Sequence, residues 1–179
     1  MEIEKIFKLA IVGNAGVGKK TLLNNCYKQF NFQEKAKDDK FSGNTEYLAI
    51  LETNIGKVFL KIIIFNEICN IPADIDCIII MSDATDPNMA VKFKELYERI
   101  TRIFGYNLKI INCFNKTDVK DIDTYIFDTA LPSFDISAKN NKGANNMLIF
   151  ALKIMTQSKE IYLKDFFTNN WVFHKNFDY

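Results

Sequence analysis

A chain of 179 residues, 48% of them hydrophobic, can bury one sizeable core and is too short for two ordinary domains. Its 23 basic and 22 acidic side chains leave a formal net charge of +1 and form no basic stripe, so composition gives no reason to expect nucleic acid as a partner. Four cysteines without a C-x-x-C pair, together with the single histidine His174, argue against a zinc site and indicate free thiols in a reducing cytoplasm.

Targeting signals are not evident in the sequence, and we expect a cytoplasmic protein. The N-terminus lacks the basic region and long apolar core of a signal peptide, and Glu2 stands where myristoylation needs glycine. The longest apolar runs, such as residues 77–81, have the length of strands and cannot span a bilayer.

Short apolar runs alternate with longer amphipathic stretches along the chain. The predicted strands are 7–12, 45–53, 57–65, 77–81, 109–114 and 134–137, and the second and third form a hairpin that turns near residues 54–56. The predicted helices are 19–30, 87–104 and 143–155, while residues 31–43 are predicted to be loop. This alternation predicts an α/β sandwich, with a mostly parallel six-stranded sheet covered by helices on both faces.

A phosphate-binding loop is predicted where the first strand meets the first helix. Residues 13–19, Gly-Asn-Ala-Gly-Val-Gly-Lys, match G-x-x-x-x-G-K in the strand-to-helix setting that the motif requires. The glycines let backbone N–H groups point at phosphate oxygens, and the helix N-terminus adds a partial positive charge. Lys19 is expected to reach the β- and γ-phosphates. The predicted nucleotide contacts here are Gly13, Asn14, Ala15, Gly16, Val17, Gly18, Lys19, Lys20 and Thr21.

One position of this loop departs from the motif. Lys20 stands where a serine or threonine hydroxyl ligates Mg²⁺, and Thr21 comes one residue too late on the helix. A protonated lysine cannot ligate the ion and repels it, although its charge can partly neutralise the phosphates.

Two further motifs follow predicted strands. Asn115-Lys116-Thr117-Asp118 comes at the end of strand 109–114, and a carboxylate at Asp118 can accept both N1–H and the 2-amino group of guanine. Ser137-Ala138-Lys139 ends the next strand. Each motif alone is weak, but three in this order, each at a strand end, form a specific pattern.

With these motifs the chain resembles a Ras-superfamily small GTPase over roughly residues 6–156, and residues 79–86 are similar to the fourth strand and following loop of Rab proteins. The resemblance implies a P-loop GTPase-like fold that binds GDP or GTP, and a Rab-like switch or regulator of intracellular vesicle traffic or signalling with protein effectors or regulators. It also implies that Asn115 ties its loop to the phosphate loop, that Lys116 lies along the base, and that the Ala138 backbone meets the guanine O6. Ser137 and Lys139 belong to the same base-contacting loop.

The resemblance fails at the D-x-x-G-Q motif, which leaves atypical switch regions. Asn66 replaces the aspartate that holds Mg²⁺ through water, and Cys69 replaces the glycine whose N–H meets the γ-phosphate. Asn70 occupies the position of the glutamine that orients the attacking water. The segment up to residue 77 is shorter than in a Rab, so we expect a short connector in place of a helix. No metal ligand is assigned, since Lys20 and Asn66 hold the usual positions. We expect weak Mg²⁺ binding and very slow GTP hydrolysis.

Several assignments stay open in the sequence. Thr45 is either the first-switch contact to the γ-phosphate or Mg²⁺, or simply a threonine that starts a strand. Phe30 or Phe32 either stacks on the guanine or packs in the core. The segment between Asp118 and Ser137 is shorter than in a Rab, so the helix expected there is abbreviated.

The predicted domain comprises residues 1–156, followed by an aromatic tail over residues 157–179. The tail has no cysteine for prenylation, so no lipid anchor is expected on this chain. It either packs on its own domain or docks a partner.

Two functions remain. The first is a guanine-nucleotide-binding protein with weak or absent GTP hydrolysis. The alternative is a pseudo-GTPase scaffold whose nucleotide is structural or absent. An adenine-specific P-loop enzyme is disfavoured by Asp118.

Overall fold

The computed structural model describes residues 5–30, 33–35, 44–119, 130–164 and 171–172. Several predictions lie outside these residues: base stacking by Phe32 or by the Phe30 side chain, the abbreviated helix before Ser137, and most of the aromatic tail.

Nine strands of the described residues form a single sheet. They are β1 (Ile6–Val12), β2 (Gln33–Lys35), β3 (Thr45–Thr53), β4 (Gly56–Ile64), β5 (Cys77–Asp83), β6 (Lys109–Asn115), β7 (Ser133–Asp135), β8 (Leu163–Lys164) and β9 (Trp171–Val172). The strand order is β7-β6-β5-β1-β4-β3-β8-β9, with β2 paired to β3. From β7 to β4 all neighbours run parallel, while β3 is antiparallel to β4, β2 and β8.

In the part of the chain that the structure describes, three α-helices cover the sheet: α1 (Lys19–Phe30), α2 (Met89–Phe104) and α3 (Ala144–Thr156). Side chains alternate between the faces of a strand, so β1 feeds two separate cores. Leu9 and Ile11 pack in the cluster that contains the buried residues of α1 and α3. Ala10 and Val12 pack in the cluster that contains Phe93 of α2. Helices therefore lie on both faces.

The α/β class and the mostly parallel sheet are confirmed, as is the hairpin between β3 and β4. The prediction that residues 31–43 contain only loop is wrong, because Gln33–Lys35 pairs with Glu46–Leu48 of β3. This strand is too short to show an alternating pattern, and the backbone of its neighbour specifies it. Within the described residues, no helix is long and apolar enough to cross a membrane.

The beginning of the tail is attached to the hairpin. Ile161 and Leu163 are buried in the core shared with α1 and α3. Asn54, at the hairpin turn, exchanges hydrogen bonds with Tyr162: its N–H donates to the Tyr162 carbonyl oxygen at 3.2 Å, and its Oδ1 accepts from the Tyr162 N–H at 2.8 Å. This first part of the tail therefore packs on the domain that precedes it.

The segment between β4 and β5 contains a single 3₁₀ turn, Ile68–Asn70. Ile68, Ile71 and Ile75 are buried in the core on the α2 face. The predicted short connector is confirmed, and its apolar side chains pack against the sheet.

Candidate functional site

The phosphate loop connects the end of β1 to the start of α1, and two of its glycines, Gly13 and Gly18, pack against the neighbouring strands. Gly13, with φ 150°, leaves no room for a side chain, because a Cβ there would lie 2.2 Å from the Met81 carbonyl oxygen. A Cβ on Gly18, with φ 99°, would lie 2.4 Å from Nδ2 of Asn115. Only glycine fits these two positions, so the loop is held close to the ends of β5 and β6.

Lys19 extends back over this loop. Its Nζ donates to the carbonyl oxygens of Gly13 at 2.6 Å and Asn14 at 3.0 Å. Burial lowers the pKa of Lys19, since a desolvated ammonium group is disfavoured. An anion placed beside Nζ would favour the charged form again, so the lysine is well placed to pair with phosphate.

Asn115 joins the two halves of the candidate site. Its Nδ2 donates to the Val17 carbonyl oxygen at 2.8 Å, and its Oδ1 accepts from the Ala138 N–H at 2.8 Å. Both hydrogen bonds are buried, and Asn115 itself is only 2% exposed. One side chain at the end of β6 therefore fixes the phosphate loop relative to residues 137–139.

The Ala138 contact changes one expectation. The resemblance implies that the Ala138 N–H meets the guanine O6, yet in the structure this N–H is already engaged by Asn115. The next N–H, that of Lys139, makes no hydrogen bond within the part of the chain that the structure describes.

Asp118 contacts the loop that contains Ala138. Its Oδ1 accepts from the Ser137 hydroxyl at 2.7 Å, and the Ser137 Oγ in turn accepts from the Asn140 N–H at 3.2 Å. A carboxylate offers about four lone-pair sites, so Asp118 retains capacity for two further donors. Ser137 is fully buried while Asp118 is exposed, which leaves the carboxylate accessible to a ligand.

Lys116 has a partner that the sequence did not identify. Its Nζ pairs with the carboxylate of Asp83 at the end of β5, and Thr85 donates to the same carboxylate through its N–H and hydroxyl. Burial opposes ionisation of Asp83, but the hydrogen bonds from Lys116 and Thr85 outweigh it and lower the pKa. The sequence did contain a signal for this pair, because Asp83 is a charged residue directly at the end of a buried apolar strand.

A cleft of about 320 Å³ borders the phosphate loop on the α2 side. Gly13 and Asn14 line it together with Asn66 and Cys69 of the connector and Arg99 of α2. Asn70 is exposed and, among the described residues, does not belong to this lining; its Oδ1 accepts from the Cys69 thiol at 3.7 Å. Asn70, which the resemblance puts at the water-orienting position, therefore lies outside the lining of the cleft that borders the phosphate loop.

The positions that would ligate Mg²⁺ do not fit the ion. Lys20 is exposed and offers an ammonium group, and Asn66 offers at most a neutral amide oxygen. Thr45 is the first residue of β3, opposite Ile64 of β4, so its position agrees with a threonine that starts a strand. No cluster of three His, Cys, Asp or Glu side chains that could hold a metal occurs in the described ranges.

The chain matches no protein-family model, and no curated protein matches its sequence. The resemblance to small GTPases therefore rests on the motifs and on where the fold places them.

Proposed function

We propose that this protein binds a guanine nucleotide, GDP or GTP, as a Rab-like member of the small GTPases, and that it hydrolyses GTP weakly or not at all. The observation that carries the proposal is the double hydrogen bond of Asn115, which joins the phosphate loop to the loop that contains Ala138. If the motifs matched by chance alone, there would be no reason for two of the loops that contain them to be hydrogen-bonded to the same side chain.

Phosphate recognition is supported by the loop between β1 and α1. Gly13 and Gly18 lie too close to the neighbouring strands for a side chain, Gly13, Gly16 and Gly18 all have positive φ, and α1 begins directly at Lys19, a combination that a phosphate cradle at a helix N-terminus would use. The charged form of Lys19, now hydrogen-bonded to backbone carbonyls, would gain a phosphate as a stronger partner.

Base recognition is supported by Asp118 and the loop after β7. The exposed carboxylate can accept from N1–H and the 2-amino group of guanine, whereas adenine offers no donor at N1. Since Asn115 occupies the Ala138 N–H, we assign the donor to the guanine O6 to Lys139.

Weak hydrolysis is supported by the connector between β4 and β5. Phosphoryl transfer by small GTPases depends on positioning the attacking water and stabilising charge. Here the connector packs its isoleucines in the core, and Asn70 lies outside the cleft beside the phosphate loop. A nucleotide-regulated switch and a scaffold with a permanently bound nucleotide both agree with this arrangement.

The test is to heat purified protein, identify the released nucleotide by chromatography, and titrate the nucleotide-free protein with GDP, GTP and ATP. We expect a guanine nucleotide and a strong preference over ATP. Binding of ATP as tight as that of GTP would refute guanine recognition. If no nucleotide is released and none binds, the pseudo-GTPase scaffold is the remaining function.

A further inference from the structure

The loop over residues 137–142, which the proposed function makes the guanine-binding loop and which is called the guanine loop below, is held from a second side, by helix α1. Asn25 donates through Nδ2 to two carbonyl oxygens of this loop, that of Ala138 at 2.6 Å and that of Lys139 at 3.2 Å. These residues are 113 and 114 positions away in the sequence, and no motif in the chain draws attention to Asn25.

The next residue of α1 holds the far side of the same loop. The Cys26 thiol is fully buried and donates to Oδ1 of Asn141 at 3.6 Å. Burial raises the pKa of Cys26 to about 12, so it stays a neutral donor. Asn141 has the left-handed backbone angle φ 54°. The loop also closes on itself through two backbone hydrogen bonds between Ser137 and Lys142.

Helix α1, from which these contacts are made, is packed in the core. Its residues Leu22, Leu23 and Cys26 are fully buried against the sheet. Asn25 follows Lys19 by six positions, which places it about 9 Å further along the helix axis. The helix that begins at the phosphate loop thus reaches the guanine loop.

The geometry of a peptide unit gives the Asn25 contact a specific consequence. The Ala138 carbonyl and the Lys139 N–H belong to one planar trans peptide, in which the two groups point in opposite directions. Asn25 binds that carbonyl from the α1 side. The Lys139 N–H is therefore directed away from α1.

We propose that Asn25 is a positioning residue for guanine: by holding the Ala138 carbonyl, it fixes the Ala138–Lys139 peptide so that the Lys139 N–H faces the O6 of the base. This inference rests on the proposed nucleotide site. Asn25 does not itself contact the nucleotide.

The test measures equilibrium binding of GDP and of inorganic pyrophosphate, the latter by competition against a fluorescent GDP. Asn25→Ala removes both donations and suits a helix, since alanine is a better helix former than asparagine. Asn25→Asp keeps the shape but places a carboxylate against two carbonyl oxygens. The matched control is Asn24→Ala, which alters the neighbouring exposed asparagine of the same helix.

We expect Asn25→Ala to weaken GDP binding about three- to ten-fold, the range for one ordinary hydrogen bond, and Asn25→Asp to weaken it more. Pyrophosphate affinity should stay at the wild-type value in both variants, because the phosphate loop is untouched. Asn24→Ala should bind both probes like the wild type.

Three results would overturn the inference. Wild-type GDP affinity in Asn25→Ala would show that the peptide keeps its orientation without Asn25. Equal losses for GDP and pyrophosphate would show general damage to α1. A wild-type protein that binds pyrophosphate but not GDP would instead refute the proposed guanine site, and the inference with it.

Discussion

Replacing Asn115 by alanine should lower the free energy of unfolding by more than the same replacement at an ordinary buried asparagine. The substitution removes both buried hydrogen bonds, to the Val17 carbonyl oxygen and from the Ala138 N–H. Val17 is 5% and Ala138 1% exposed, so water cannot readily replace the lost partner at either end.

The size of the effect follows from these two orphaned groups. A buried donor or acceptor left without a partner costs about 1–3 kcal/mol, so the pair should cost about 2–6 kcal/mol. That is a large fraction of the ~5–15 kcal/mol by which a domain of this size is stable. The phosphate loop and the guanine loop would also lose their shared anchor.

Asn112 provides a matched control on the same strand, β6. It is fully buried, yet among the described residues its Nδ2 donates only one long hydrogen bond, to Ser133 at 3.5 Å. Its Oδ1 accepts no hydrogen bond from the described residues. Asn112→Ala deletes the same atoms as Asn115→Ala, so the cavity contributions largely cancel in the comparison. We expect Asn112→Ala to cost less than half as much.

The assay is urea unfolding of the nucleotide-free wild type and both variants. It is repeated for all three proteins at one GDP concentration, about 100 times the dissociation constant of the wild type. GDP should stabilise the wild type and Asn112→Ala by about 2.7 kcal/mol, and Asn115→Ala by much less. If Asn115→Ala proved no less stable than Asn112→Ala and were stabilised equally by GDP, the assignment of Asn115 as the link between the loops would be refuted.

Three further predictions concern the proposed chemistry. Asp118→Asn should shift preference from guanine to xanthine nucleotides, measured by competitive binding; an unchanged preference would exclude Asp118 as the base-reading residue. EDTA should accelerate nucleotide release less than in an ordinary small GTPase, because Lys20 replaces a hydroxyl ligand, and Lys20→Ser should increase the effect. A large EDTA acceleration in the wild type would show that another residue holds the metal. Single-turnover GTP hydrolysis should not exceed ~10⁻⁴ s⁻¹, and Asn70→Gln should restore little; a wild-type rate well above ~10⁻³ s⁻¹ would mean that another group orients the water.

The local pattern of the sequence was enough to place the main elements. The spacing of apolar residues that identifies strand β6 and helix α1 lies within each element, so the bounds of both were predicted within a residue or two. The sequence also placed the three motifs at strand ends, because each lies within a few residues of a recognisable apolar run. The departures at Lys20, Asn66 and Asn70 were also visible, because a substituted motif position needs no tertiary information.

Elements and contacts that depend on residues far apart in the chain could not be predicted from the sequence. The three residues of β2 become a strand only because β3 offers them a backbone partner. The Lys116–Asp83 pair joins the ends of two adjacent strands. Asn25 contacts a loop more than a hundred positions away, and its own surroundings in the sequence are those of any exposed helical residue.

Local sequence pattern was thus sufficient for the α/β class, for the order of the main strands and helices without β2, β8 and β9, and for the chemical types of the candidate site residues. Which groups meet depends on the folded chain: the Ala138 N–H bonds to Asn115, Asn70 lies outside the cleft, and Asn25 reaches the guanine loop. Periodicity and strand-end motifs are properties of neighbouring residues, so they can be recognised without the fold. Hydrogen-bond partners are selected by the packing of the whole sheet and its helices.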